Sequence, residues 1–427
     1  MLVESKYNIK IERDEKIYLW NTLTGNMISL REDKLEELAE GYKTEESAFA
    51  KKMKEYGFIV DENYDETGFV ILKERQMQYA DEIESFYVTI ATTLNCNFRC
   101  NYCFEKKVLC DSKMNGEVQQ NTINYIIRMI KGNKLCKKFR VTWFGGEPLL
   151  YPEIIDNISR PIIEYCNKNN IDYGATVITN ASLLTKDVFM CLKKNKVTRL
   201  QITIDGNQEM FCKQKGVTKD TYEKVIQNIK EIAGKINISI RVNFAPGMEE
   251  SVYDLTSYLL EDCGLNGKIK IYLAQIRSYE NLEEEKVINA KFLEFNNVYI
   301  NRMQEKFGKT SISDKHPVRT NSFCQLACKM GGCIGPMGEI YRCEHALGHK
   351  ELEVGNVKNG LFYNSIDAKY LDVKHEKKCL ACKIFPICLG GCKNDIINKT
   401  TAINCDAYIE ASKERILDYT LSNKNYN

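Results

Sequence analysis

The 427-residue chain predicts an α/β fold: a partial (β/α)6 barrel between an N-terminal winged-helix-like α+β domain and a C-terminal, loop-rich, cysteine-bearing domain. Three observations predict it. From about residue 86, strand-like runs alternate with amphipathic helical patterns some six times. Strands separated by helices build a parallel sheet, closed or partly closed into a barrel. The first 64 residues read instead as short strands followed by helices, and they hold no cysteine. Beyond about residue 310 periodicity fades, and cysteine and glycine take over.

The N-terminal domain, 1–64, opens with YNIKIERDEKIYLWNTLTGNMISL, two or three short strands with a hairpin turn at Thr24-Gly25. Helical stretches follow at 31–41 and 45–56, then an apolar strand, Phe58-Ile59-Val60. Units of this plan bind DNA or peptides. Lysines alternate with acids here, so the basic stripe that DNA requires is missing. A peptide strand added to the exposed hairpin edge is the better reading. Residues 65–85 read as a charged helical connector. The barrel, 86–309, draws its strands from 86–92, 139–144, 175–179, 199–204, 238–244 and 268–274. Ligands gather at the C-terminal ends of such strands. The last domain, 310–427, shows no obvious apolar core and would be held together by metal.

Composition excludes more than it selects. Sixty basic against fifty-eight acidic residues leave a net charge of +2, which argues against a nucleic-acid partner. No apolar run approaches membrane-spanning length, so no membrane partner is expected. Seven prolines and no low-complexity tract suit an ordered chain. Eighteen cysteines without a secretory signal point to metal in a cytoplasmic, anaerobic setting rather than to disulfides.

Eleven of those cysteines fall into two arrays. The first is Cys96-x3-Cys100-x2-Cys103, written CNFRCNYC. The second is Cys379-x2-Cys382-x5-Cys388-x3-Cys392, preceded by Cys324, Cys328 and Cys343 and followed by Cys405. Thiolates are soft ligands, and short spacings let one loop present several sulfurs to one iron–sulfur cube. Structural zinc closes with four ligands, whereas the first array has no fourth cysteine or histidine nearby. Three thiolates on a four-iron cube leave one iron open for chemistry. The four histidines, 316, 345, 349 and 375, form no competing metal spacing. Cysteines 110, 136, 166, 191, 212 and 263 are scattered, and a buried inert thiol is their default reading.

CNFRCNYC fits the CxxxCxφC pattern of the radical S-adenosylmethionine (SAM) superfamily, with Tyr102 as the aromatic before the last cysteine. GGEP at 145–148 resembles that superfamily's second-strand motif. Thr179-Asn180, Thr203-Ile204-Asp205-Gly206 and Arg241-Val242-Asn243 resemble its contacts at the later strands. The resemblance covers roughly residues 86–275. It implies a four-iron cluster on Cys96, Cys100 and Cys103, and SAM held by Gly145, Gly146, Glu147, Asn180, Thr203, Asp205, Arg241 and Tyr102. One electron from an external donor such as flavodoxin or ferredoxin would release a 5′-deoxyadenosyl radical that abstracts hydrogen from unactivated carbon. A histidine often found shortly after the family's Asp-Gly is absent here, with Phe211 and Cys212 in its place.

The second array resembles the SPASM domain, whose pattern Gly338-x4-Cys343 and the later cysteines match. Two auxiliary [4Fe-4S] clusters are thereby implied, three in all. One would take Cys343 and Cys392 with upstream cysteines. The other would take Cys379, Cys382, Cys388 and Cys405. Upstream, Cys324, Cys328 and Cys333 compete. With Cys324 and Cys328 both ligating, the favoured reading, the cluster is full and carries electrons; with one, an open iron could bind substrate. Glu344 stands where anaerobic sulfatase maturases carry an aspartate base, and His345 beside it is a second proton-transfer candidate. With the N-terminal unit, the layout resembles maturases of ribosomally made peptides. That implies a precursor peptide held by its leader and a thioether, C–C or C–O crosslink as product. Formylglycine formation, as in anaerobic sulfatase maturation, is the alternative, and a DNA-binding iron–sulfur regulator the remote one.

Overall fold

Alternation in the first thirty residues folds as its period requires. β1 (Leu2–Glu4) is followed by β2 (Asn8–Arg13), β3 (Lys16–Asn21) and β4 (Met27–Leu30), the last three forming an antiparallel sheet. The β3–β4 turn falls where Thr24-Gly25 predicts it, and the Asn21 side chain accepts from the backbone of Leu23 and Thr24 at 3.0 and 2.9 Å. Helices α1 (Glu32–Ala39) and α2 (Ala48–Glu55) come next, with Ser47 capping the second. β5 (Ile59–Asp61) returns antiparallel to β1, and the expected connector is helix α3 (Glu66–Gln78).

The computed structural model describes residues 1–39, 47–277, 281–314, 316–322 and 324–422, so the expected helices at 31–41 and 45–56 each lie partly outside the described residues. Two compact units emerge. One comprises Met1–Gln78, Lys315–Cys324 and Val373–Asn427, the other Tyr79–Asp314 and Gln325–Asp372. The apolar partner of the C-terminal segment therefore comes from the other end of the chain. Ile9, Ile11, Tyr18 and Trp20 bury against Ile384, Ile387, Ile416 and Leu417, while Tyr7, Leu23 and Val70 bury against Phe385 and Leu389. A long helix, Cys405–Ser422, carries part of this face, where sequence periodicity suggested only loop.

The second unit holds the α/β barrel element. Strands β6 (Ser85–Ala91), β7 (Lys138–Phe144), β8 (Asp172–Thr179), β9 (Val197–Thr203), β10 (Asn237–Phe244) and β11 (Lys270–Gln275) lie side by side in chain order, all parallel. Beyond β6, the short β12 (Cys333–Ile334) joins in parallel. Antiparallel β13 (Glu339–Tyr341), β14 (Gly355–Asn356) and β15 (Gly360–Leu361) extend the sheet from there. The crossovers are amphipathic helices, α4 (Gly116–Gly132), α5 (Pro152–Lys168), α6 (Lys186–Lys194), α7 (Gln208–Lys215), α8 (Lys219–Ile232) and α9 (Glu249–Ser257), with α10 (Leu282–Phe307) after β11. Their apolar stripes and the strands share one core. Parallel strands place all six C-terminal ends on one side, which is what builds the site. Among the described residues, no helix is long and apolar enough to cross a membrane.

Candidate functional site

A cavity of about 350 Å³ opens at those strand ends. Its walls carry Cys96, Cys100 and Cys103 after β6, Gly145, Gly146 and Glu147 after β7, and Thr179 and Asn180 at β8. Thr203, Arg241 and Gln275 close it from β9, β10 and β11. The sequence thus names residues from five separate strands that the fold brings to one place, and the structure adds Gln275 from the sixth. Tyr102 and Glu344 line it too.

The two glycines are needed by space, not only by conformation. Gly145 adopts φ +110°, and a Cβ there would lie 2.2 Å from the Thr93 carbonyl oxygen. A Cβ on Gly146 would lie 2.2 Å from the Asn95 carbonyl oxygen and 3.1 Å from the Cys96 nitrogen. Backbone bonds fix the approach: Gly146 N–H donates to Thr93 at 3.1 Å and Glu147 N–H to Asn95 at 2.9 Å. The glycine loop therefore clamps the cysteine loop.

Glu147 is 1 % exposed and serves as a bracket between strand ends. Its carboxylate accepts from Thr179 Oγ1 at 2.7 Å, Asn180 N at 2.8 Å and Leu149 N at 3.0 Å. Burial pushes its pKa up to about 7, against these bonds, which lower it. Asp205 is wholly buried. It accepts from the Tyr102 hydroxyl and from Asn243 N, the latter at 3.1 Å, and pairs with Lys215 Nζ at 3.0 Å. Asn243 Nδ2 donates to the same hydroxyl at 3.0 Å. Lys215 Nζ donates to that hydroxyl as well, at 2.5 Å, so Tyr102 is tied down from three sides, and its neighbour Cys103 with it.

Lys215 was not legible in the sequence as a site residue, because nothing in FCKQKG marks its last lysine as buried. Burial opposes its charge, but Asp205, Tyr102 and Cys100 outweigh that and raise its pKa. Lys215→Met is expected to cost about 3–5 kcal/mol by stranding the Asp205 carboxylate. Urea unfolding measures this, and Asp205→Asn in the same chain should recover part of the loss.

Burial raises the three thiols as well, Cys96 to about 12, Cys103 to about 11, and Cys100 in the same direction. Cys96 also feels Cys100 and Cys103, and Cys103 feels Cys100, while all three line one cavity. Thiols held protonated by burial around one cavity suit a cationic iron centre that takes the place of their protons. The donor set fits a cluster with three thiolates.

Among the described residues, no three His, Cys, Asp or Glu side chains converge at the spacing of a single ion. A four-iron cube holds its thiolates farther apart than one ion does. In the first unit, Cys379, Cys382, Cys388 and Cys405 influence one another electrostatically, whereas Cys392 feels Cys324. In the second, Cys328 and Cys333 are buried. Cys333 is a strand residue, opposite Thr89 of β6. Arg342, also buried, fastens the intervening loop: it donates to the carbonyls of Cys328 and Gly331 at 2.5 and 2.7 Å and to Asp367 at 2.7 Å. Glu344 accepts from Thr89 Oγ1 at 3.1 Å. Burial raises its pKa, while Thr89 and Arg241 act to lower it. His345 stacks on Phe104, ring centroids 4.1 Å apart.

Residues 90–255 match the family model of the radical SAM superfamily. The GTP 3′,8-cyclase of Aliarcobacter butzleri is 31 % identical over 209 residues, 48 % of this chain and 59 % of that protein. The chain thus spans little more than half of that relative. The cysteine-type anaerobic sulfatase-maturating enzyme of Clostridium novyi is 22 % identical over 353 residues, 75 % of this chain and 91 % of its own length. Among solved structures, native anSMEcpe with bound AdoMet shares the fold with TM-score 0.60 and 17 % identity, over 79 % of this chain and 97 % of that one. Streptococcus suis SuiB bound to precursor peptide SuiA does so with TM-score 0.53 and 17 % identity, over 93 % and 97 %. With the cysteine triad, the glycine clamp and six parallel strand ends at one cavity, residues 90–255 are a radical SAM domain.

Proposed function

We propose that the chain is a radical SAM maturase acting on a ribosomally made peptide, with crosslinking as its reaction. The carrying observation is the meeting of Cys96, Cys100 and Cys103 with Gly145, Gly146, Asn180, Thr203 and Arg241 around one cavity. In this reading the three thiols hold a four-iron cluster with one open iron. SAM bound there supplies a carbon-centred radical that removes hydrogen from the substrate. The chain's own residues do the rest. The glycine clamp keeps the cysteine loop rigid, and Lys215, Asp205 and Asn243 hold Tyr102 and the last cysteine. Arg241 and Asn180 offer donors to the SAM carboxylate and ribose. Two auxiliary clusters complete the cofactors, on Cys324, Cys328, Cys343 and Cys392 and on Cys379, Cys382, Cys388 and Cys405. An external one-electron donor, flavodoxin or ferredoxin, would start each turnover.

Likeness over 93 % of the chain to SuiB bound to a precursor peptide, against 79 % for anSMEcpe, supports a precursor peptide as substrate and a leader-binding role for residues 1–64. The Clostridium novyi relative and the position of Glu344 in the cavity wall support formylglycine formation as second reading. Mass spectrometry separates them. The reduced, cluster-loaded protein is incubated with SAM and either a precursor peptide from any short reading frame found beside its gene or a cysteine peptide of a sulfatase. Loss of two hydrogens from the first, with deoxyadenosine formed, is the expected result. Replacement of sulfur by oxygen together with loss of two hydrogens, a cysteine thiol becoming an aldehyde, in the second would instead establish the alternative, and no change in either would remove peptides as substrates.

A further inference from the structure

Glu105 follows Cys103 by two residues and lines the same cavity, yet the radical chemistry gives it no task. It is 5 % exposed, and its Oε1 has no hydrogen-bond partner. Glu344, whose charge acts on it, differs in being compensated by the Thr89 hydroxyl and by Arg241. The basic side chains of the cavity are engaged elsewhere: Lys215 pairs with Asp205, Arg241 Nε donates to Asn243 at 2.8 Å, and Arg277, also in the lining, has an interaction of its own. A buried carboxylate oxygen without a donor is costly, and an arriving cation recovers that cost. Next to both acids in sequence, Phe104 and His345 stack with an interplanar angle of 9° and line the cavity as well. Flat rings of this kind accept a methylene stem and favour a cation near their faces.

We propose that Glu105 receives the ammonium or guanidinium group of a substrate side chain, whose methylene stem lies along the Phe104–His345 pair. The peptide segment entering the cavity therefore carries a lysine- or arginine-like residue. This rests on the peptide-maturase reading and narrows its substrate class. Glu105 acts as a specificity residue, not as part of the radical machinery.

Binding tests it without turnover. Anaerobic calorimetry on the cluster-loaded protein with SAM present compares two capped pentapeptides, one with a central lysine and one with its uncharged isostere norleucine. Wild type is expected to prefer the lysine peptide at least tenfold. Glu105→Gln should reduce the ratio to near one with SAM affinity unchanged, and Glu105→Lys should favour a glutamate peptide. Equal binding of both peptides by wild type overturns the proposal, as does a preference that survives Glu105→Gln. A loss of SAM affinity in Glu105→Gln overturns it too, since the carboxylate would then serve the cofactor. Failure of the maturase reading is seen separately, as absence of deoxyadenosine from wild type.

Discussion

Alanine at Cys96, Cys100 and Cys103 together is expected to reduce 5′-deoxyadenosine formation to background. The three thiols are part-buried and line one cavity, and burial raises the pKa of each. The only other cysteines whose sulfurs are read as ligands belong to a separate stretch of sequence, from Cys324 onward. Among the described residues no further cysteine lines the cavity of the triad, so removal leaves the glycine clamp with no thiolate loop to orient. Chromatography of reduced reaction mixtures reads the product directly, and persistent formation would withdraw the catalytic assignment. The auxiliary arrays should retain their metal in this variant, which separates loss of one cluster from loss of fold.

Gly146→Ala is expected to weaken SAM binding by about ten- to a hundredfold, the equivalent of about 1–3 kcal/mol of overpacking. The added methyl would meet backbone, the Asn95 carbonyl carbon at 2.5 Å and its oxygen at 2.2 Å. Backbone cannot swing aside as a flexible side chain does, so the cysteine loop must move and carry Cys96 with it. Gly132→Ala is the control, because a Cβ there meets nothing within 4 Å. Equilibrium dialysis with SAM measures both, and equal affinity in the two variants would mean that the clamp does not position the cofactor.

Much of this arrangement is legible in the sequence, for physical reasons that differ by region. Buried parallel strands write themselves as apolar runs such as RVTWF and ISIRVNF. Their C-terminal ends therefore locate the motif residues before any coordinates exist. Strand beginnings are less legible: β8 starts at Asp172 and β9 at Val197, ahead of the runs at 175 and 199, because Gly174 and Thr198 separate the buried Tyr173 and Val197 from those runs. The packing of 373–427 against the first thirty residues is not legible at all. Ile384 and Ile416 stand in short apolar runs, IFPICL and IL, that bury in one cluster with Trp20 and Ile11, and no local pattern records a partner so distant in the chain. Lys215 and Glu105 are hidden for a further reason. Charged residues are mostly exposed, so composition assigns them to solvent, and only tertiary structure reveals a charge enclosed at a site.

Iron and labile sulfide in the anaerobically reconstituted protein, wild type beside the triple alanine variant, test the central claim most directly. The account predicts about twelve irons in wild type, falling to about eight in the variant, as three four-iron clusters with one on the triad require. Equal iron in the two proteins would contradict it, because Cys96, Cys100 and Cys103 would then hold no cluster.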